Sequence, residues 1–203
     1  MRHAADDGRR RALPRGASGT VKAAIGQVVD SESLGGAKMH ASISGTIDYR
    51  EPNDDACIER LRRLVGALPA DKTPPVATGG LGGDFTPFTT PEYDVRHLLK
   101  LILDDAPFDE YKADYGQTLV CGFGKLGGTS VGIVANQKQR VKPAEGPLQF
   151  GGVIYVDSAD KAARFVMDCN QLRVPILFIQ NVNGFMVGGN RSNTASSRPG
   201  RSW

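Results

Sequence analysis

Apolar and polar positions alternate along this chain in segments with clear periods. The sharpest lies at residues 95–103, where Val95, Leu98, Leu99, Ile102 and Leu103 recur at i, i+3, i+4, i+7 and i+8. That spacing predicts an amphipathic helix, ended by Asp104, Asp105 and Pro107. A second helical stripe, Ile58, Leu61, Leu64, Val65 and Leu68, follows Asn53 as N-cap and stops at Pro69; Glu59, Arg60, Arg62 and Arg63 are expected to face water. Residues 30–34 predict a short helix halted by Gly35 and Gly36, and residues 40–49 a strand with Ile43 and Ile47 as its apolar positions. Residues 118–126 and 129–135 read as a hairpin turned at Gly127-Gly128. The longest organised stretch is 150–189. Val153, Ile154, Tyr155 and Val156 read as a strand. Ser158 reads as N-cap, with Asp157 and Asp160 near the helix start. Ala162, Phe165, Val166 and Cys169 give the helix an apolar face, and Pro175 halts it before a second strand, residues 176–179. Two such strands joined by a helix predict a parallel βαβ unit with a right-handed crossover. Ligands of open α/β sheets gather beyond the carboxyl ends of strands, which points to the glycine-rich loop at 181–189.

Composition changes this picture little. With 203 residues, 40% hydrophobic and 23% charged, the chain is long enough for one large domain or parts of two. A net charge of +3 permits anionic ligands without arguing for nucleic acid. No apolar run approaches the roughly 18 residues of a membrane helix, and the N-terminal charges are not followed by the apolar core of a secretory signal. Cys57, Cys121 and Cys169 are far apart and sit in apolar patterns, as buried free thiols of a reducing compartment do. These features describe a soluble, cytoplasmic α/β protein. Residues 1–19 read as a solvated basic leader, the proline- and glycine-rich passage at 69–91 holds a domain boundary, placed at 84/85, and residues 190–203 carry no apolar pattern.

The chemistry visible in spacing is sparse. His3, His40 and His97 are dispersed and lie in no metal or nucleophile motif; no bound metal is expected. His40 lies near Ser42 and Ser44 without a third member or a nucleophile elbow. The glycines at 122–128 precede a strand rather than open a helix, and those at 79–83 lack the lysine of a phosphate loop. Lys138, Arg140 and Lys142 read as a solvated basic loop. What remains are glycine-rich loops at strand ends, where backbone N–H groups can approach a developing oxyanion.

Four separated segments, in order, carry a family resemblance: VKAAIG (21–26), ESLGGAKMHASISGTIDY (32–49), the run from PEYDVRHLLK to GIVANQ (91–137), and the run from GGVIYVDS to NGFMVGG (151–189). Over about residues 20–189 the chain resembles the carboxyltransferase (beta) subunits of biotin-dependent acyl-CoA carboxylases, the propionyl-CoA and methylcrotonyl-CoA carboxylase family. The resemblance implies an α/β, crotonase-like (ClpP-like) fold, with residues 20–84 closing one repeat and 85–189 opening the second. It implies transfer of a carboxyl group from carboxybiotin, borne on a carrier protein, to the α-carbon of an acyl-CoA. Backbone N–H groups would stabilise the enolate.

Carried over residue by residue, Asn181, Val182, Asn183, Gly184, Phe185 and Gly188 match the loop near which biotin enters. Gly35, Gly36, Ala37 and His40 match a substrate-side segment; no catalytic residue is assigned. The form QNVNGFMVG (180–188) is nearer the methylcrotonyl-type loop, while KQRVKPAEGPLQF (138–150) is longer than in familiar members. The implied partners are an acyl-CoA, a biotin carboxylase with its biotin carrier, and further copies of the subunit, with neither nucleic acid nor membrane. The family's two glycine-rich oxyanion segments would fall before Val21 and after Gly189, so the chain is expected to be a fragment, inactive alone. The alternatives are a non-catalytic module binding biotin or partner subunits, and a subunit of a related acyl-CoA decarboxylase.

Overall fold

The computed structural model describes residues 3–5, 30–66, 68, 86–104 and 107–186. At its centre is a four-stranded sheet in the order β3–β4–β5–β7, made of β3 (Asp109–Tyr111), β4 (Leu119–Leu126), β5 (Thr129–Asn136) and β7 (Ile176–Ile179). β3–β4 and β4–β5 are antiparallel, and β5–β7 is parallel. The expected hairpin is present, with Gly127 and Gly128 at φ +58° and +79°, left-handed values that glycine adopts without strain. The Asp104 carboxylate holds this turn, accepting from the Gly127 and Gly128 N–H groups at 2.9 and 2.7 Å.

Alternation along β4 and β5 sends side chains to two faces. Val120, Val131, Ile133 and Ala135 pack against Val95 and Leu99 of helix α4 (Val95–Ile102), the helix the sequence predicts most sharply. The Asp94 carboxylate caps it by accepting from Arg96 N at 3.0 Å. On the other face Cys121, Phe123 and Val134 meet Phe165 and Cys169 of helix α5 (Val156–Leu172). The Phe165 ring lies 5.3 Å from that of Tyr111 and 5.0 Å from that of Phe123. A Cβ on Gly132 would sit 2.5 Å from Cys169 Sγ, so glycine is what lets α5 come this close. Burial pushes the Cys121 and Cys169 thiols up to about 12 and about 11. Cys57, read as buried, is half-buried, and all three cysteines are free.

The predicted βαβ unit is corrected in its pairing. β7 pairs with β5, while β6 (Val153–Ile154) pairs in parallel with β8 (Gly184–Phe185) in a separate ribbon. The strand also ends early. Tyr155 is the N-cap, Val156 opens the helix 78% exposed, and Ser158 sits at the third helical position, its hydroxyl accepting from Tyr155 N at 2.9 Å. Apolarity alone places Val156 in the strand; the reciprocal Ser158–Tyr155 bonds place it in the helix.

Two expectations upstream also change. Residues 40–49 are not a strand. His40 belongs to helix α2 (Ala37–Ser42), which follows α1 (Ser31–Gly35) directly, and only β2 (Tyr49–Glu51) is extended. Ala37 and Ala41, four apart and buried, make a helical face that the alternating Ile43 and Ile47 obscure. Within the leader read as solvated, β1 (His3–Ala5) pairs in parallel with β2. The boundary placed at 84/85 and the polar tail, residues 190–203, lie outside the described residues.

Helix α3 (Asp54–Gly66) is capped by Asn53 as expected, with Asn53 Oδ1 accepting from Ala56 N at 2.8 Å, but its inward face is not the apolar stripe. Of that stripe only Leu64 is buried; Ile58, Leu61 and Val65 are 47%, 41% and 66% exposed. Arg60 and Arg63 turn inward instead. Asp109 Oδ1 accepts from Arg60 Nη1 and Arg63 Nε, both at 2.9 Å, and Glu51 Oε1 accepts from Arg60 Nε at 2.6 Å. Arg60 also lies over the Tyr49 ring, 5.1 Å from its centroid. Buried carboxylates require cations, and this requirement outweighs burial of a few aliphatic side chains.

Lys161 of α5 is buried within this core, its ammonium donating to Tyr115 O at 2.9 Å. Burial lowers its pKa from the ordinary 10.5, partly opposed by Cys121 and Glu110. The folded state therefore binds this proton less readily than the unfolded chain. Stability from this group is lost as pH falls through the folded value and is complete above 10.5. In urea titrations, wild type is expected to gain stability relative to Lys161→Met as pH rises toward 10.5; a difference independent of pH would refute the depressed value.

Among the described residues no helix is long and apolar enough to cross a membrane, and no group of three or more His, Cys, Asp or Glu could hold a metal ion.

Candidate functional site

The parallel pair β5–β7 delivers two chain segments to the same end of the sheet: 136–138 after β5, and 181–183 after β7. Side chains continue the ladder where the strands stop. Asn136 Oδ1 accepts from Asn181 N at 3.1 Å, and Lys138 Nζ donates to Asn183 Oδ1 at 3.0 Å. Positions 136 and 138, two apart on an extended chain, project to one side. Gln137, between them, projects to the other. Its Nε2 donates to Asp94 Oδ1 at 2.8 Å, and its Oε1 accepts from Val95 N and Gln139 N, both at 3.2 Å. The start of α4 is thereby fastened to the strand end. Burial alone would raise the Asp94 carboxyl. The bond from Gln137, the Arg96 N–H and the Arg96 charge outweigh it and hold the group below its ordinary 3.8.

Gly151 and Gly152 run between the two segments. Gly152 N donates to Gln137 O at 2.7 Å, and Asn183 N to Gly152 O at 2.6 Å. Only glycine can pass here. A Cβ on Gly151 would lie 2.0 Å from Lys138 O, and Gly152, at φ +73°, would place one 2.8 Å from Lys138 Nζ. The β6–β8 ribbon extends this arrangement, with Met186 N donating to Ile154 O at 2.9 Å. Asn181 Nδ2 reaches Tyr93 Oη at 3.2 Å.

Of the residues the sequence singles out, Asn181, Val182, Asn183, Gly184 and Phe185 thus come together on one rim, most of them exposed. Gly188 lies outside the described residues. The substrate-side group is elsewhere. Gly35, Gly36 and Ala37 are buried in the α1–α2 corner, where a Cβ on Gly36 would meet Glu32 O at 2.5 Å. His40 Nδ1 lies 3.0 Å from Ser44 Oγ and 3.2 Å from Thr46 Oγ1, a local cluster. The hydrogen bonds of Gly36 and His40 stay within residues 32–47, whereas those of Asn181 and Asn183 run to Tyr93, Asn136, Lys138, Gly151 and Gly152.

Sequence reasoning missed Lys138, read as part of a solvated loop. It is 7% exposed, and Asn136 and Gln137 are buried with it. The signal was there: three polar residues directly following a fully apolar strand interior continue its direction into the protein.

A separate cavity of about 150 Å³, lined by Ile47, Asp48, Arg50, Glu110, Lys112 and Asp114 among others, lies between the α2–β2 region and β3. Its ions are paired, Lys112 with Asp48 at 2.8 Å and Arg50 with Asp114 at 3.0 Å across the wall, and Glu110 with Arg96 behind it at 2.7 Å. Such internally neutralised walls hold elements together.

The profile of the carboxyl transferase domain matches residues 15–194. The mitochondrial methylcrotonoyl-CoA carboxylase beta chain of Dictyostelium discoideum is 38% identical over 178 residues, covering 83% of this chain and 28% of that protein. The methylmalonyl-CoA decarboxylase subunit alpha of Propionigenium modestum is 31% identical over 180 residues, covering 83% and 33%. Among solved structures, the transcarboxylase 12S hexamer with methylmalonyl-coenzyme A and methylmalonic acid bound matches with a TM-score of 0.68 at 30% identity, over 87% of this chain and 34% of that one. The chain thus spans about a third of the length of these relatives. The likeness extends over the central sheet and the strand-end rim alike, and the fold is the crotonase-like one expected. This chain belongs to the carboxyl transferase domain family.

Proposed function

We propose that this chain contributes the biotin-facing wall of a carboxyltransferase that moves a carboxyl group between carboxybiotin, borne on a carrier protein, and the α-carbon of an acyl-CoA. The observation that supports this reading is the rim at the ends of β5 and β7. There Asn181 and Asn183 project from an exposed loop whose position is set by Asn136, Lys138 and the Gly151–Gly152 passage. Amide and ammonium donors of this kind suit a ureido oxygen or a carboxylate. When bound, carboxybiotin supplies the activated carboxyl group; the residues of this chain orient it and meet its oxygens. The partners of this reading are an acyl-CoA, a biotin carboxylase with its biotin carrier, and further copies of the chain. Relatives named for carboxylation and for decarboxylation support either direction of transfer.

The test is binding of a biotinylated carrier protein compared with its unbiotinylated form. The chain is expected to prefer the biotinylated form, and Asn183→Ala to weaken that binding by about tenfold, the upper end of what loss of one neutral hydrogen bond costs. Equal affinity for the two carriers would sink the reading.

A further inference from the structure

Lys138 is 7% exposed, and its ammonium has one acceptor among the described residues, Asn183 Oδ1 at 3.0 Å. An ammonium carries three donors, and a buried cation without a counter-charge is costly. Among the described residues no carboxylate pairs with it. A second, independent observation lies two residues earlier. Asn136 is 4% exposed, and its Nδ2 is buried with no hydrogen-bond partner. Its orientation is fixed, because Oδ1 accepts from Asn181 N and so must face that way. Asn136 and Lys138 reach toward the same loop from the same side of the extended chain. Both side chains bond the 181–183 loop, so the unused donors of both lie beside that one loop, at the carboxyl ends of two parallel strands, where α/β sheets bind ligands.

We propose that this rim is a carboxylate subsite, with the Lys138 ammonium as its counter-charge and Asn136 Nδ2 as a second donor. The ligand class is a small molecule presenting a carboxylate oxygen. This deepens the functional reading above by assigning the charged part of the transferred group to a side chain. Lys138 is a binding residue here, and Gly152, which φ +73° requires to be glycine, brings its backbone close enough that an added Cβ would lie 2.8 Å from the ammonium.

The test uses the whole chain labelled with ¹³C-lysine and titrated with acetate, chloride or neutral 2-imidazolidone at constant ionic strength. The Lys138 side-chain resonance is assigned by its loss in Lys138→Met. Acetate is expected to shift it saturably, with an affinity about tenfold above that of chloride. Lys142→Met, whose ammonium bonds only Gly146 O in the exposed loop, is expected to leave that affinity unchanged. Asn136→Asp keeps the acceptor for Asn181 N, removes the Nδ2 donor and sets a carboxylate beside the same loop, so acetate binding is expected to be lost, which keeps the test open if Lys138→Met fails to fold. A shift that is not saturable, is equal for chloride, or persists at wild-type affinity in Asn136→Asp overturns the proposal. A response to 2-imidazolidone alone overturns it too, while leaving the biotin-side reading in place. Acetate binding without preference for a biotinylated carrier does the reverse.

Discussion

Replacing Asp109 by alanine is expected to destabilise the fold by about 3 kcal/mol, read from the midpoint of urea unfolding followed by circular dichroism. Asp109 is buried and accepts from two guanidinium groups, one on each of two successive turns of α3. Its removal leaves Arg60 with Glu51 and strips Arg63 of the acceptor it has among the described residues. Because both arginines retain some contact with water, the expected cost sits at the low end for broken buried pairs rather than the high end. The exposed pair Arg62–Glu59, on the solvent side of the same helix at 3.8 Å, provides the comparison. Arg62→Ala is expected to change stability by less than about 0.5 kcal/mol. Similar costs for the two substitutions would mean that α3 is not fastened through its charges.

Gly151→Ala is expected to cost about 3 kcal/mol as well, through sterics rather than charge. The added methyl would lie 2.0 Å from Lys138 O and 2.2 Å from its carbonyl carbon. Both obstacles are backbone, so no rotamer change relieves them. The 150–152 segment would have to withdraw from between the strand ends, breaking Gly152 N to Gln137 O and Asn183 N to Gly152 O. Gly146→Ala separates this effect from ordinary glycine loss. Gly146 has φ +97° with nothing within 4 Å of an added Cβ, so its substitution strains only the backbone, at about 1 kcal/mol. Urea midpoints of the two variants measure the difference; indistinguishable values would show that the passage at Gly151 tolerates a side chain.

Legibility from sequence follows the range of the interaction that decides each element. Helix α4 and the β4–β5 hairpin were readable because their determinants are local: apolar spacing in one and Gly127-Gly128 in the other. On α3 the sequence places Leu64, Glu59 and Arg62 correctly and misplaces Arg60 and Arg63, because the carboxylate that draws those two inward lies on β3, more than forty residues away. Nothing in residues 54–66 announces it. The βαβ unit was right in its helix and its β7 strand and wrong in its partner, since β6 is two residues long and finds β8 instead. The rim loop was located by the rule of strand ends together with the family resemblance. Lys138 was lost because a lysine between polar neighbours reads as solvated unless the preceding strand's direction is followed.

The two-residue pairing of β6 with β8 sets how firmly that rim is held. Beside it, β4 and β5 pair over eight residues and are packed on both faces. A module resting on so short a ladder opens at a lower free energy than the sheet, so it can come apart and re-form while the rest of the molecule stays native. For the ligand site proposed at the rim, occupancy then depends on the fraction of molecules in which residues 150–152 are seated, and the affinity expected there scales with that fraction. Whatever presses on the β6–β8 ribbon from outside, a neighbouring protein surface included, would tune binding without touching a single ligand-facing atom.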